Sequence, residues 1–380
     1  MDFRPTEEQA LLRRTVREFA ETEMRPHVRE WDQDQHFPTE LMPKLAALGL
    51  LGIQSPEQYG GAAMSAIDYC ICIEELARVD PSIALSVAAH NGLCSSHIFL
   101  FGTEQQKQTF LGPLARGERI GAWGLTESTS GSDAAGMRTN AIRAGACWVI
   151  NGSKTFTTHG RVGHIMVVMA VTDRAAGTKG ISAFIVEHGT PGMTPGKKED
   201  KLGMRASDTS EVLFDNCRIP GDQLLGEEGQ GFINTMQVLD AGRIGIAALA
   251  VGLAQGAYEA ALNYARERRA FGKAISSFQA IQWKLADAAT RIEAARLLTY
   301  RAAFLKQQGQ RTTLESSMAK LYASETAVRV ADDCVQIHGG YGFVKDYPAE
   351  KYFRDVKLTT IGEGTSEIQR LIIARQLLTR

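Results

Sequence analysis

The sequence predicts an α+β protein of several domains, in which a helical part, a β part and a second helical part follow one another. Apolar residues recur at helical spacing up to about residue 117, and β-rich runs bounded by glycine and charged residues then occupy roughly residues 120–225. Long helical patterns rich in Ala and Gly return from Gly229. A chain of 380 residues is also too long for one ordinary core. The predicted domains are residues 1–120, 121–226 and 227–380.

Helices fill the first predicted domain. Thr6-x-x-Gln9 has the form of a capping box, and apolar residues follow it at helical spacing. Another helix is expected after Pro38, with its end at Gly49. Two strongly apolar helices and a shorter one are predicted next, over Ser65–Val79, Ser82–Phe101 and Thr103–Leu114.

The middle domain is predicted to be a β-sheet. The Asn151-Gly152 pair within Trp148–Phe156 predicts a hairpin with a tight turn. Further strands are predicted at Ile165–Val171 and Ile181–Val186. Val212–Asp215 and Cys217–Pro220 are expected to be another strand and its exit. Because the connections between these segments are short, the sheet should be mostly antiparallel.

The third domain is predicted to contain longer helices. They cover about residues 230–266, 277–308 and 314–335, and a shorter helix follows at about 347–353. A glycine-rich break at His338–Phe343 separates the long helices from the shorter one.

Composition and charge favour some classes of protein over others. The chain is 44% hydrophobic and 22% charged, as soluble globular proteins are, and its net charge of −1 gives no electrostatic footprint for nucleic acid or an anionic membrane. Its N-terminus lacks the apolar core of a signal peptide, and we expect no apolar run to reach membrane-spanning length. We therefore expect a cytoplasmic protein without integral membrane association. The six cysteines form no CxxC pair and are interpreted as buried free thiols.

One acid near the C-terminus is unusually placed. Glu363 lies between Gly362 and Gly364, whose backbone freedom lets another group approach it closely. Ser366-x-x-Gln369 predicts a capping box that opens a helix over Glu367–Leu378, so Glu363 should lie just before that helix. A carboxylate in such a loop can be a general base, although most loop acids are simply solvated.

Two segments of the β part carry groups that suit a heterocycle or a phosphate. Trp123–Asp133 offers several hydroxyls and two glycines, and Phe156–His159 places an aromatic ring beside hydroxyls. By composition alone, the more common explanations are an ordinary Ser/Gly connector for the first segment and a strand end packed on the core for the second.

Two later segments could bind a pyrophosphate. Four cations lie within Arg266–Lys273, although compensation of a helix dipole explains them as well. The glycines of His338–Phe343 permit close backbone approach, or form a plain helix C-cap. No metal site is predicted, because His338 has no partner at ligand spacing. The sequence also lacks GxGxxG after a strand, GxxxxGK[ST], GxSxG and HExxH, which argues against nicotinamide Rossmann, P-loop, nucleophile-elbow and zincin chemistry.

Taken together, these segments resemble the acyl-CoA dehydrogenase family over essentially the whole chain. The motifs that carry the resemblance occur in the family's order, and they are Leu125–Asp133, Arg268–Gly272 with Gln279, Gln336–Phe343 and Glu363–Gln369. The resemblance implies an N-terminal helical domain, a middle antiparallel β-barrel-like domain and a C-terminal four-helix bundle. It also implies non-covalent FAD, usually a homotetramer, an acyl-CoA substrate and electron-transferring flavoprotein as the electron acceptor.

The resemblance also implies roles for single residues. Glu363 would be the catalytic base that abstracts the α-proton, with its pKa raised by burial, while the β-hydrogen leaves as hydride to flavin N5. Hydrogen bonds to the thioester oxygen, in the family from the amide of this residue and a flavin ribityl hydroxyl, would stabilise the enolate. Trp123, Leu125 and Thr126 would line the flavin, and Phe156 and Thr158 would cover its other side.

The remaining contacts implied by the resemblance concern FAD and the substrate. Further FAD contacts would come from Ser132, Arg268, Phe271, Gln279, Gln336, Gly339, Gly340, Thr365 and Glu367. Of these, Arg268, Gln279 and the Gln336–Gly340 loop would hold the FAD of a neighbouring subunit. The acyl-CoA path would run along Ser132, Asp240, Arg243 and Gly364.

The sequence departs from the family pattern in a few places. Ser128 replaces the usual proline after Thr126-Glu, which changes the stiffness expected of the loop. Some members carry their base just before the Arg243 position, where this chain has Gly242, so Glu363 is favoured as the base. Ser82 stands near the position at which glutaryl-type members carry a substrate-binding arginine, which disfavours a dicarboxylyl substrate. The pattern leans toward the short-chain, butyryl-CoA dehydrogenase-like subgroup.

Two other functions share these features. An acyl-CoA oxidase-like relative would use the same fold and base with oxygen as the acceptor, although such oxidases are usually longer. A scaffold that binds FAD and acyl-CoA but has lost turnover would keep the fold as well, because fold alone does not define activity.

Overall fold

The computed structural model describes residues 4–379. Its N-terminal part is helical, and it begins with the predicted capping box: Thr6 Oγ1 accepts the Gln9 amide at 3.2 Å, while the Gln9 side chain accepts the Thr6 amide at 3.1 Å. A second capping box, between Ser65 and Asp68, opens α4. The helices are α1 (Glu7–Phe19), α2 (Val28–Asp34), α3 (Met42–Ala47), α4 (Ala66–Val79), α5 (Pro81–Ala89), α6 (Ser96–Phe101), α7 (Glu104–Gln106) and α8 (Gly112–Ala115).

The predicted helix Ser82–Phe101 is present with an internal irregularity. A π-helical turn, His90–Ser95, joins α5 to α6, so that the chain remains helical from Pro81 to Phe101. Such turns insert one extra residue per turn and occur frequently at functional sites.

Two helices are long and apolar enough to cross a membrane by length and composition, so the expectation that no apolar segment reaches that length is wrong. They are Pro81–Phe101 and Gly231–Glu267. Their apolar windows are 83% and 72% buried inside the protein, as in core helices of soluble proteins.

The middle part is one eight-stranded sheet. Its strands are β1 (Gly121–Gly124), β2 (Asn140–Ala144), β3 (Cys147–Thr158), β4 (Ile165–Val171), β5 (Ile181–Glu187), β6 (Met193–Lys198), β7 (Thr209–Pro220) and β8 (Leu224–Leu225). The strand order is β6-β7-β3-β2-β4-β5-β8, and β1 pairs with β4. Only the β1–β4 and β2–β4 pairs of this sheet are parallel, which confirms the mostly antiparallel prediction.

The predicted hairpin turn at Asn151-Gly152 is wrong, because both residues lie inside β3. Gly152 is needed there for close packing: a Cβ on it would lie 2.6 Å from Thr139 Oγ1. The β2–β3 turn instead contains Gly145, whose φ of 65° favours glycine. The segments predicted as a strand and its exit at Val212–Pro220 likewise form one strand, β7.

The C-terminal part is helical. Its helices are α9 (Gly231–Glu267), α10 (Gln279–Gln307), α11 (Thr313–His338), α12 (Ala349–Asp355) and α13 (Ser366–Leu378), and a short two-stranded ribbon, β9 (Arg269–Ala270) and β10 (Lys273–Ala274), follows α9. Helix α9 packs closely on α4 at its glycines: a Cβ on Gly252 would lie 2.1 Å from the Glu74 carbonyl oxygen. The predicted cap of α13 is wrong by one residue, because Thr365 is the N-cap and its hydroxyl accepts the Ile368 amide.

The three parts meet in a buried polar cluster. Lys351 Nζ on α12 donates to Asp80 Oδ1 between α4 and α5, at 3.0 Å, and to Asp355 Oδ2 at 2.5 Å. Asp355 Oδ1 accepts the amide of Met204, between β6 and β7, at 2.6 Å. One set of buried charges therefore ties α12 to both other parts of the chain.

Candidate active site

The loop that carries Glu363 is held in an unusual conformation. Glu363 has a φ of 54° and Gly364 one of 96°, and α13 begins two residues later. Two buried side chains fix this loop: Lys320 Nζ donates to the Gly364 carbonyl at 2.8 Å, and Gln369 Nε2 donates to the same oxygen at 2.9 Å. A strained residue held so firmly is typical of a functional position.

The Glu363 carboxylate is directed into the protein. Its Oε2 is shielded from solvent and has no hydrogen-bond partner among the described residues. It lies against Gly242 of α9, where an added Cβ would approach Oε2 to 2.0 Å. Burial raises the pKa of Glu363 to about 7, against the opposing effects of Lys320 and Arg243. Such a group is half-ionised near neutral pH, which suits a general base.

A buried cation lies beside this carboxylate. Arg243 bonds through its guanidinium to Asp240, and Asp240 Oδ2 accepts the Thr313 hydroxyl at 2.6 Å. Burial lowers the pKa of Arg243, while the carboxylates of Asp240 and Glu363 raise it. Arg243 Nε has no partner among the residues described, so the site contains a cation with an unused donor next to the acid.

An apolar wall links Glu363 to the β-sheet. Leu93, Ala89 and Val238 form a buried cluster on which Trp123 packs. Leu93 also lines the Glu363 site, since its Cδ2 lies 3.3 Å from the position of a Cβ on Gly242. Trp123 is oriented by a 3.1 Å bond from Nε1 to His97 Nδ1, and burial lowers the pKa of His97 to about 3, which keeps the ring neutral.

The structure brings the predicted flavin-lining segments of the sheet together. The Thr126 carbonyl accepts the Thr155 amide at 2.8 Å, next to a bulge in β3 that turns Phe156 outward. Phe156 has a φ of 53°, which is unusual for a bulky residue, and its ring is 65% exposed. Thr158 ends β3 half-buried, and Ser132 is exposed. These segments fit a planar aromatic group lying against the sheet near the end of β3.

A buried ion pair that the sequence analysis missed anchors this loop. Lys154 is fully buried, and its Nζ donates to Glu127 Oε1 at 2.7 Å and to the Leu125 carbonyl at 3.1 Å. Glu127 also accepts the amides of Arg138 and Thr139. Burial lowers the pKa of Lys154 to about 8, and the charge of Lys154 is the main factor that lowers the pKa of Glu127. The signal available in the sequence was a lysine at a core-facing position of a strand.

Three of the other predicted cofactor residues, Arg268, Gly339 and Gly340, line a separate site of about 570 Å³, here called the second cleft. Arg268 lines it with its guanidinium 5.6 Å from the Tyr341 ring, and a Cβ on Gly339 or Gly340 would meet no atom within 4 Å. Open backbone beside a cation suits a phosphate group. Phe271 is 93% exposed near this end of the bundle. Gln279 and Gln336 are exposed as well.

The second cleft lies far from Glu363. Gln336 follows Lys320 by 16 residues along α11, a distance of about 24 Å at about 1.5 Å per residue. The predicted residues of the terminal segment, Thr365 and Glu367, lie instead at the start of α13 beside Glu363. The predicted site residues therefore form two separate groups within one chain.

Comparison with known proteins identifies the class. Three family models match in sequence: the N-terminal domain of acyl-CoA dehydrogenase over residues 6–118, the middle domain over 122–217 and the C-terminal domain over 229–378. The chain belongs to the acyl-CoA dehydrogenase family. It is an FAD-dependent oxidoreductase of that class, as the sequence predicted, with the predicted three-part fold.

Particular relatives are similar over their full length. The short-chain specific acyl-CoA dehydrogenase of Clostridium acetobutylicum is 48% identical over 377 residues, which cover 99% of this chain and 100% of the relative. The structure of butyryl-CoA dehydrogenase from Megasphaera elsdenii matches with a TM-score of 0.98 and 43% identity, with 100% of both chains covered. A chain from a study of the electron transferring flavoprotein of Acidaminococcus fermentans matches with a TM-score of 0.99 and 46% identity, also over 100% of both chains.

Proposed function

We propose that this protein dehydrogenates a short-chain saturated acyl-CoA to the trans-2-enoyl-CoA, with Glu363 as the catalytic base. The observation that carries the proposal is the environment of the Glu363 carboxylate. Its Oε2 is shielded from solvent, has no hydrogen-bond partner among the described residues and lies against Gly242, and the pKa of Glu363 is raised to about 7. The short-chain specific relatives support the choice of substrate class.

Glu363 removes the α-proton, which moves to a carboxylate oxygen. Such a proton is weakly acidic, so the base must be shielded from water and the enolate must be stabilised. The amide of Glu363 donates to the thioester oxygen, and Lys320 and Gln369 keep that amide in place by holding the loop carbonyls. The acyl-CoA would lie along Arg243, Asp240, Gly364 and Ser132.

The residues of the chain fit FAD at two places. The ring system would be held by Trp123, Leu125, Thr126, Ser132, Phe156 and Thr158, with Thr365 and Glu367 beside it. The pyrophosphate and adenosine of a neighbouring subunit's FAD would be held by Arg268, Phe271, Gln279, Gln336, Gly339 and Gly340. The exposed Phe156 ring and the open backbone of Gly339 and Gly340 support this assignment. Bound FAD supplies the acceptor for the β-hydride, and electron-transferring flavoprotein receives the electrons.

The assembly that we propose is a homotetramer in which the second cleft of each chain holds a neighbouring subunit's FAD. The separation of Lys320, beside Glu363, from Gln336, near the second cleft, by about 24 Å along α11 supports this assignment. We place this assembly in the cytoplasm.

Replacing Glu363 by Gln tests the proposal directly. The amide keeps the size of the side chain but accepts no proton, so the variant should bind FAD and acyl-CoA and lose flavin reduction by at least about 10⁴-fold. The measurement is anaerobic bleaching of the flavin by acyl-CoAs from propionyl to palmitoyl, with the wild-type protein as control. Substantial reduction by the variant would assign the base to another residue, and rapid reoxidation of the wild type by air would indicate an oxidase.

A further inference from the structure

Tyr69 is a buried group that neither the sequence analysis nor the proposed chemistry uses. It lies on α4, its side chain is 4% exposed, and its hydroxyl has no hydrogen-bond partner among the residues that the structure describes. Most buried tyrosine hydroxyls find a partner, so an unpaired one indicates a position shaped by another requirement.

The phenol oxygen of Tyr69 occupies space that two glycines leave open. A Cβ on Gly245 of α9 would lie 2.6 Å from this oxygen, and a Cβ on Gly92 of the π-helical turn would lie 3.2 Å from it. Glycine at both positions is therefore what admits the ring between α4, α9 and the turn.

The Glu363 carboxylate occupies the adjacent glycine position on the same helix. Gly242 and Gly245 are three residues apart on α9, so they lie on one face, separated by about 4.5 Å along the axis. Burial raises the pKa of the Tyr69 phenol, and the charge of Glu363 raises it further, as expected for close neighbours.

Between these two groups the lining is apolar. Leu93 lies close to Gly242, and the preceding residue, Gly92, lies close to Tyr69. These two consecutive residues of the π-helical turn therefore line an apolar strip that runs from the Glu363 carboxylate to the Tyr69 phenol. Beyond Tyr69 lies the continuous core of α4, α5 and α9. The strip therefore ends at the tyrosine ring.

We propose that Tyr69 forms the closed end of the acyl-chain site and limits the substrate to acyl groups with only a few carbon atoms beyond the reacting pair. The inference rests on the proposed function, because Glu363 must fix the position of the α-carbon. An acyl chain that extends from that point along the apolar strip meets the phenol after about one helical turn.

Enlarging the site at Tyr69 tests this inference. In Tyr69→Ala the ratio of kcat/KM for octanoyl-CoA to that for butyryl-CoA should rise at least about tenfold, since added methylenes contribute to binding in an apolar pocket. Tyr69→Leu should shift the ratio in the same direction by less. The matched control is Ile71→Ala, because Ile71 is buried on the same helix two residues away and so faces elsewhere, and it should leave the ratio at the wild-type value.

The possible results distinguish a failure of the role inferred for Tyr69 from a failure of the proposed dehydrogenase function. If butyryl-CoA is oxidised but neither Tyr69 variant gains on octanoyl-CoA, the inference is wrong and the proposed function stands. If the wild-type protein is reduced by no acyl-CoA, the proposed function itself is wrong. Should Tyr69→Ala lose FAD or fold poorly, calorimetric binding of octanoyl-CoA to Tyr69→Leu decides, and affinity no tighter than in the wild type overturns the inference.

Discussion

Glu363 and Gly242 behave as one unit, although 121 positions separate them in the chain. The carboxylate can enter the site only because position 242 has no side chain, and the loop can carry it there only because Lys320 and Gln369 hold a conformation with positive φ. The position of the proposed base therefore depends on three helices that meet, α9, α11 and α13, as well as on the glutamate itself.

The charge of Lys320 should set the pH at which the base becomes active. Lys320 is fully buried, burial lowers its pKa to about 8, and it lowers the pKa of Glu363, as Arg243 does. Below pH 8 its ammonium favours the ionised carboxylate. Lys320→Met should therefore shift the acidic limb of kcat/KM, which lies near pH 7 in the wild type, upward by about one pH unit.

The control for this shift is Lys320→Arg, which retains the charge and should keep the limb near its wild-type pH. The measurement is the pH profile of kcat/KM with butyryl-CoA, together with the FAD content of each variant. An unchanged limb in Lys320→Met would mean that Lys320 only holds the Gly364 carbonyl and does not tune the acid.

Glu363 could be proposed as a site residue from the sequence because glycines on both sides are a local signal. The sequence contained no indication of Lys320 or Tyr69, because a lysine or a tyrosine within a helical pattern looks like any other until the packing of α11, α4 and α9 is known. The cap of α13 was misplaced by one residue for a local reason: Thr365 and Ser366 are adjacent and both are good N-caps.

The loop from Leu125 to Thr139 is stabilised as an element by one buried ion pair. Removing only the cation, as in Lys154→Met, would leave Glu127 buried and unpaired, which costs about 3–5 kcal/mol. We expect a lower thermal midpoint and weaker FAD retention. The measurement is thermal unfolding with and without added FAD.

The double variant Lys154→Met/Glu127→Gln is the matched control. It removes the unpaired charge while the amide oxygen still accepts one of the amides of Arg138 and Thr139, so part of the lost stability should return. If the double variant is no more stable than the single one, the loss comes from packing and the role assigned to the ion pair is wrong.

Element by element, prediction succeeded where the signal was local. Capping boxes and the helical period identified the helices of both ends, including the box at Thr6. The Asn151-Gly152 pair misled because the same dipeptide that favours a tight turn also allows a strand to pass close to Thr139, and only the tertiary contact decides between the two. Lys154 was overlooked because a charged residue in a strand is normally solvent-facing.

At the scale of the molecule, binding of FAD and assembly should depend on each other. Arg268→Ala removes the arginine that lines the second cleft, which we have proposed to hold a neighbouring subunit's FAD. The variant should therefore lower both the FAD retained per chain and the fraction of tetramer. The measurements are flavin absorbance per chain after desalting and light scattering after size-exclusion chromatography.

Arg266→Ala is the matched control, since Arg266 is exposed in the last turn of the same helix but does not line the cleft. It should leave both quantities unchanged. Retention of FAD by Arg268→Ala at the wild-type level would show that this arginine has been assigned to the wrong ligand.

The order of the three parts could be predicted because the pattern of apolar residues changes from helical spacing to β-rich runs and back. The family could be recognised from motifs that lie far apart in the chain. The family resemblance already implied two groups of site residues, since it assigned Arg268, Gln279 and the Gln336–Gly340 loop to a neighbouring subunit's FAD. The distance between the two groups did not follow from the sequence, because it depends on the length and direction of α11. Motifs that are proposed to contact the same kind of ligand, FAD, can therefore lie at distant points along one helix.

The cluster at Lys351 affects how the protein opens. A domain that swung away from the others would have to separate Lys351 from Asp80 or Asp355 from Met204, and breaking a buried charge pair costs about 3–5 kcal/mol. An open state that lies about 3 kcal/mol or more above the closed one would be populated in fewer than about one molecule in a hundred. We therefore expect the three parts of the chain to stay together during turnover.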